Sequence, residues 1–379
     1  MIAPSVVFRA FQEQGVTFFT GVPDSLLKDF CAYVTHHMSP GEHIITANEG
    51  ASVGLATGHY LATGTPALVY MQNSGFGNAL NPLLSLADPE VYRIPMVLLV
   101  GWRGEPGSGD EPQHVKQGRI MQSLLNSLEI PYAILGPDVS EPAAVVAAAC
   151  QSALSGETPY VVLVRKGTFE PYDFQGRSEP DLPLTREGAL GHVVDSLDGP
   201  HVIVSTTGKT SRELFEYRVA RDAGHGRDFL TVGGMGHASQ IALGVALRRP
   251  GFQVYCLDGD GAVLMHMGSL AVNAAEAPAN YKHIVLNNGS HDSVGGQPTV
   301  GFHMDLPAVA LACGYRSAAR ARTAEEVLRG VAHLAESRGP SLLEIQVVKG
   351  ARQNLGRPGT TPVQNRDALM DALGTRQTS

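Results

Sequence analysis

The stretch FQVYCLDGDGAVLMHMGSLAVNAAEAPANYKHIVLNNGSHDSVGGQPT, residues 252–299, decides how this chain is read. Two apolar runs, FQVYCL and HIVL, each end in small polar residues, Gly259-Asp260-Gly261 after the first and Asn287-Asn288-Gly289 after the second. The segment between them, GSLAVNAAEA, reads as a helix. Twenty-eight positions separate Asp260 from Asn288, a spacing that suits one strand–helix–strand unit. Parallel strands would then set both oxygen-bearing side chains at the same edge of a sheet. A Gly-Asp-Gly also makes a tight turn in many proteins, but here it closes an apolar strand and opens a helix at Gly261-Ala262, whose free N–H groups suit an anion. A carboxylate, an amide oxygen and a nearby backbone carbonyl are hard donors of the kind magnesium takes, with phosphate oxygens and water completing the set. The expectation is a magnesium-bridged diphosphate site.

Working outward, 379 residues are too many for one ordinary core and suggest two domains. Hydrophobic residues at 43% and charged ones at 17% describe a globular chain rather than a disordered one. A formal net charge of −8 and a pI near 5.9 argue against nucleic acid as the partner. Cys31, Cys150, Cys256 and Cys313 lie far apart with no CxxC spacing, so free thiols are expected rather than a zinc site or a disulfide framework. The N-terminus lacks a basic segment followed by a long apolar run, and no stretch reaches the length of a membrane span. The expected protein is cytoplasmic, with neither a membrane nor a nucleic acid as partner.

The first half alternates apolar strands (VTFFTGVP, HIITA, PALVYMQ, IPMVLLVGW, YAILG, PYVVLVRK) with helical stretches such as NEGASVGLATGHYLATG, GFGNALNPLLSLA and EPAAVVAAACQSAL. The rhythm breaks at a Pro-, Gly- and charge-rich stretch and then restarts through HVIVSTTG, a helix from about Ser211, FLTVGG, ASQIALGVALRR, the opening stretch, and SLLEIQVV. Strands alternating with helices mean parallel sheets wrapped on both faces. The fold class is α/β, two three-layer α/β/α domains, with expected boundaries 1–170, a linker at 171–186, and 187–379.

The unit from Gly259-Asp260-Gly261 to Asn287-Asn288 resembles the signature of the thiamine-diphosphate-dependent enzymes. That resemblance implies thiamine diphosphate and Mg2+ as cofactors, with Asp260, Asn288 and the Ser290 carbonyl on the metal and Gly261 and Ala262 beside the diphosphate. It also implies a Glu early in a small-residue helix of the first half, which activates the cofactor's aminopyrimidine, and Glu49 in ANEGASVGLATG matches in type and context. Alone, that residue also suits a helix N-terminus. Met235 in TVGGMGHAS resembles the bulky prop that holds the two cofactor rings together, and Gly233 and Gly208 lie in strand-end loops resembling those that touch the cofactor.

Longer segments, among them GVPDSLLKDF, MQNSGFGNALNPL, GWRGEPG, STTGKTSRELFE and GARQNLGRPGTTP, are similar to the phosphonopyruvate-decarboxylating branch of the family. The resemblance implies conversion of 3-phosphonopyruvate to phosphonoacetaldehyde and CO2. Sulfopyruvate is the nearest alternative substrate, and carboligation or a cofactor-binding subunit are the more distant readings. It further implies a homodimer, or a dimer of dimers, with the active site at the subunit interface. Proton-handling groups are expected at strand ends, with Asp24, Ser25, His114 and His291 as the candidates. Asp24 and Ser25 also suit helix N-caps. The related decarboxylases with adjacent histidines have no counterpart here: His36-His37 reads as surface, and a different relay through His291 or Gln297 is expected. Of the cations Arg103, Lys116, Arg119, Lys209, Arg352 and Arg357, the Gly-containing loops favour Lys209 and Arg357 for the phosphonate.

Overall fold

The computed structural model describes residues 1–173 and 180–376 and divides into two compact units, Met1–Arg177 with Ser293–Gln297, and Ser178–Asp292 with Pro298–Ser379. The first unit carries strands β1 (Phe19–Gly21), β2 (His43–Ile45), β3 (Ala67–Gln72), β4 (Met96–Gly101), β5 (Tyr132–Leu135) and β6 (Pro159–Val164). They form one parallel sheet in the order β2-β1-β3-β4-β6-β5. In the second unit β7 (His201–Ser205), β8 (Asp228–Leu230), β9 (Gln253–Gly259), β10 (Tyr281–Asn287), β11 (Ser317–Ala321) and β12 (Ser341–Gln346) form a second parallel sheet in the order β11-β12-β10-β9-β7-β8.

Both sheets are covered on both faces, which is why their central strands are unbroken apolar runs. Every residue of β4 is buried. Alternate residues of β3, β4 and β6 divide between two cores. Leu68, Tyr70, Val97, Leu99 and Val162 pack with the helices Pro4–Glu13, Lys28–His37 and Pro142–Gly156, whereas Val69, Met71, Leu98, Val100 and Leu163 pack with Glu49–Thr63, Phe76–Pro82 and Pro112–Ser127. Each large side chain so buried contributes about 1.5–3 kcal/mol. The second unit repeats the scheme, with Ile203, Leu257 and Ile284 on one face and Val204, Cys256 and Val285 on the other.

Local chemistry sets the helix ends. Asn48 Oδ1 accepts from Gly50 N (2.7 Å) to start Glu49–Thr63, and Gly64 ends it at φ 71°. The stretch expected as one helix over 75–87 is a turn at Asn73–Gly75, a helix Phe76–Pro82 and a wider π turn Leu83–Ala87. Pro82 is the cause, because it cannot donate to the ladder. The helix expected from about Ser211 begins at Lys209, and β11 was not anticipated. Of the expected linker, residues 174–179 lie outside the described residues, and Arg186 is the first residue of the helix Arg186–Asp195. The cysteines are all free, three of them buried. Among the described residues, no helix is long and apolar enough to cross a membrane.

Parallel strands deliver their following loops to one edge. Strand order reverses at β1 and at β7, and open α/β sheets bind ligands in the crevice outside the carboxyl ends at such a reversal.

Candidate functional site

In the second unit, β9 and β10 pair with Gly259 opposite Leu286, so Asp260 and Asn288 leave the sheet together. Asn288 N lies 3.4 Å from Asp260 Oδ1, and the Thr299 hydroxyl donates to Asp260 Oδ2. Burial pushes the Asp260 carboxyl up to about 6 despite those donors. Asn288 Oδ1 accepts from Ser290 N (3.1 Å), and its Nδ2 donates to Asp292 Oδ2 (2.8 Å). Asp292 is held in turn by Arg186 Nη1 (2.8 Å) and Gly350 N (2.9 Å), while the rest of the Arg186 fork grips Glu213 at 2.8 Å through two parallel bonds. The amide that orients Asn288 is thus anchored to a nearly inaccessible ionic network. The donor set fits a hard divalent cation: a buried carboxylate with no ion pair among the described residues, an amide oxygen with a lone pair to spare, and the Ser290 turn, whose own hydroxyl is buried without a partner.

Around this turn the second unit gathers most of the other expected residues. Gly208 takes φ 93° to start the helix Lys209–Ala220, and Gly233 N donates to Thr207 Oγ1 (2.9 Å), tying the two loops together. A Cβ on Gly261 would sit 3.3 Å from Met235 Cε and 3.2 Å from His291 Cε1, so the expected prop, the helix opening and the histidine converge. Ala262 is buried beneath Gly236. Burial draws His291 down to about 4, with Asp292 opposing, so it is neutral near pH 7. Lys209 is half-buried and feels the charges of Asp292, Arg186 and Glu213. Arg357 lies exposed in a loop where Arg352 pairs with Glu187 and Glu216.

The first unit builds a second constellation. Glu49 is buried at the start of its helix, and Oε2 accepts from Asn78 Nδ2 (2.8 Å). Burial raises its carboxyl above the ordinary range, which favours a held proton. Asp24 is fully buried, with Oδ2 accepting from Leu26 N (2.9 Å). Neither Asp24 nor Ser25 caps a helix, because the helix Lys28–His37 starts after Leu27 with no side-chain cap. Ser25 Oγ instead lies between Asp24 Oδ1 (3.4 Å) and Arg103 Nη1 (2.7 Å). His114 is buried with Nδ1 unpartnered; burial and then the Arg103 charge draw it down to about 4. Gln297 groups with the first unit, its Nε2 donating to the Lys28 carbonyl (3.1 Å).

Three carboxylates share one further device, a glycine wall. A Cβ on Gly75 would overlap Glu49 Oε1, one on Gly101 would overlap Asp24 Oδ2, and one on Gly301 would sit 2.6 Å from Asp260 Oδ2. Sequence reasoning did not single out these glycines, nor Asn78, Arg186 or Asp292. The turn Asn73–Gly75 is the most informative omission, because Asn73 grips Arg103 while Gly75 abuts Glu49.

Burial lifts Asp24 to about 6 despite its backbone donors and Arg103. Its native form therefore binds more protons than the unfolded chain between about pH 4 and 6, and stability falls as pH rises through that window. Asp24→Asn removes the penalty. The variant is expected to melt higher than the parent at pH 7.5, by at most about 3 kcal/mol in unfolding free energy, with the advantage vanishing near pH 4. A melting series with equal gains at both pH values would contradict this.

Residues 1–125 match the family described as thiamine pyrophosphate enzyme, N-terminal TPP binding domain, and residues 206–345 match its C-terminal TPP binding domain. The chain belongs to the thiamine pyrophosphate enzyme family. Among its relatives, a protein of Streptomyces viridochromogenes named phosphonopyruvate decarboxylase is 39% identical over 96% of this chain and 93% of its own length. Another of that name from Streptomyces hygroscopicus is 38% identical over 96% and 92%. A sulfopyruvate decarboxylase of Methanosarcina acetivorans is 28% identical over 98% and 97%.

Proposed function

We propose that this chain is a thiamine-diphosphate- and magnesium-dependent decarboxylase that converts 3-phosphonopyruvate to phosphonoacetaldehyde and CO2. The observation that carries the reading is the parallel pairing of β9 and β10, which sets Asp260 and Asn288 side by side in a chain similar along nearly its whole length to two phosphonopyruvate decarboxylases. Asp260, Asn288 and the Ser290 carbonyl would hold the metal, and the Gly208 and Gly233 loops with Gly261 and Ala262 would face the diphosphate. When bound, the cofactor supplies the carbon nucleophile and the electron sink that loss of a carboxylate from a 2-oxo acid requires.

The remaining work falls to the chain's own groups. Burial raises the Glu49 carboxyl, which would let it share a proton with the aminopyrimidine of a bound cofactor. Met235 shapes the apolar wall. Decarboxylation breaks the C1–C2 bond and puts a proton on the product, so one proton must be delivered per turnover. His114 and His291, both drawn to about 4, store few protons near neutrality, whereas Asp24 at about 6 stores more. Asp24 is therefore assigned to proton delivery, with Ser25 orienting it. The enzyme is read as a cytoplasmic homodimer or dimer of dimers, with its active site at the subunit interface.

Phosphorus NMR of the purified protein with 3-phosphonopyruvate, thiamine diphosphate and magnesium tests this. A phosphonoacetaldehyde signal that disappears with EDTA is the expected result. Consumption of sulfopyruvate without conversion of phosphonopyruvate would retain the chemistry and replace the substrate. No reaction with either acid would end the decarboxylase reading.

A further inference from the structure

We infer that Arg103, held by Asp110 beside Ser25, is the group that recognises the phosphonate end of the substrate, an inference that rests on the decarboxylase reading above. Arg103 follows β4 at the sheet's carboxyl edge. Its backbone is clamped from both sides by one side chain: Asn73 Nδ2 donates to the Arg103 carbonyl (2.8 Å), and Arg103 N donates to Asn73 Oδ1 (3.2 Å). The preceding Trp102 is buried, with Nε1 donating to the Gly118 carbonyl (2.9 Å). The guanidinium therefore springs from a fixed base.

Its orientation is fixed as well. Nε donates to Asp110 Oδ2 (2.7 Å), Nη2 to Asp110 Oδ1, and Nη1 to Ser25 Oγ (2.7 Å). Asp110 is itself seated by Gly104 N (2.9 Å) and Glu111 N (2.7 Å). A guanidinium carries five N–H donors in a planar fork, and these contacts engage three of them. One donor is left on each Nη, enough for two oxygens of a tetrahedral anion. The side chain keeps 18% of its surface exposed, enough for a ligand to reach them. A surface arginine would be free to wander, and a purely structural one would spend its fork on protein. This one spends two donors on a carboxylate that aims it and one on Ser25, and keeps two for a ligand.

The alternatives in the chain fit less well. Lys116 and Arg119 are exposed on a helix, Arg352 is occupied by Glu187 and Glu216, and Lys209 lies among the charges of Asp292, Arg186 and Glu213. Asp110 also bears on selectivity. At equal distance a dianionic phosphonate is drawn to the Arg103 fork twice as strongly as a monoanionic sulfonate, and Asp110, by offsetting part of the Arg103 charge, narrows that difference.

The test is direct binding to the enzyme loaded with thiamine diphosphate and magnesium, using 3-phosphonopropionate and 3-sulfopropionate, which carry the two anionic ends and lack the reactive carbonyl. Arg103→Met is expected to weaken 3-phosphonopropionate about 100-fold, and Arg103→Lys is expected to recover part of the loss. The affinity for thiamine diphosphate, measured alongside, is expected to move less than threefold, which excludes general damage to the fold. Asp110→Asn is expected to widen the preference for phosphonate over sulfonate. If Arg103→Met binds 3-phosphonopropionate within threefold of the parent, or if the parent does not bind it at all, the inference is overturned. Because the readout is binding, it is independent of turnover. A parent enzyme that binds the phosphonate through Arg103 yet leaves phosphonopyruvate intact would sink the reaction assigned above and spare the anion site.

Discussion

Glu49→Gln is expected to lower turnover by about a thousandfold while leaving the fold and most of the cofactor affinity in place. The substitution keeps size and shape, and a Gln Oε1 still accepts from Asn78 Nδ2, which now donates to Glu49 Oε2 at 2.8 Å. What is lost is a group able to hold a proton and share it with a ring nitrogen. Burial raises the Glu49 carboxyl, in keeping with the proposed role, and positioned proton transfer of this kind is worth roughly 10²–10⁴ in rate. Release of CO2 and equilibrium binding of thiamine diphosphate, measured on the same preparation, separate the two effects. A variant retaining a tenth of the parental rate would remove Glu49 from the mechanism. A variant that no longer bound cofactor would make its role structural.

Asp260→Asn is expected to weaken metal retention in the presence of thiamine diphosphate by about 100-fold, the scale of removing one partner from a buried charge pair. Asn288 N, which now faces Asp260 Oδ1, can still donate to an amide oxygen, and the Thr299 hydroxyl, which now donates to Oδ2, can turn to accept from the amide nitrogen, so the turn itself is preserved. Without cofactor, the parent carries a buried carboxyl raised to about 6. Its folded form takes up protons that the unfolded chain releases between about pH 4 and 6, so ionisation costs stability above that range. The cofactor-free variant should accordingly melt no lower than the parent at pH 7.5, and only the loaded parent should outlast it. Equilibrium dialysis of magnesium with paired melting curves provides both numbers. Equal magnesium retention in parent and variant would remove Asp260 from the metal.

Asp260 and Asn288 were legible because strands buried on both faces are continuous apolar runs. Once those runs are located, the polar residues that end them must share an edge. Glu49 was legible only through the family resemblance, and it stands first in the helix that Asn48 caps. β11 was not: SAARA is short, half-exposed and at the sheet's rim, so it carries neither an apolar run nor a clean alternation. The alternative reading of Asp24 as a helix cap fails because local capping propensity says nothing of burial. The side chain is claimed by the interior beside Gly101, and the helix starts four residues later. Arg103 was one of six candidate cations in the sequence. Its partner Ser25 lies 78 positions away, and Arg186 lies 106 positions from Asp292. Such pairs arise only from the crossing of loops at a sheet edge, which composition and spacing do not encode.

The glycine walls behind Glu49, Asp24 and Asp260 change how damage to this protein would look from outside. Gly75, Gly101 and Gly301 have no functional group, yet any side chain there must occupy the volume of a carboxylate oxygen or crowd it to within 2.6 Å. A survey of tolerated substitutions would rank these positions with the acids they face and tempt a geneticist to assign them chemistry. The reverse also holds. A lineage can silence this enzyme with every reactive residue intact, by the gain of a single methyl group.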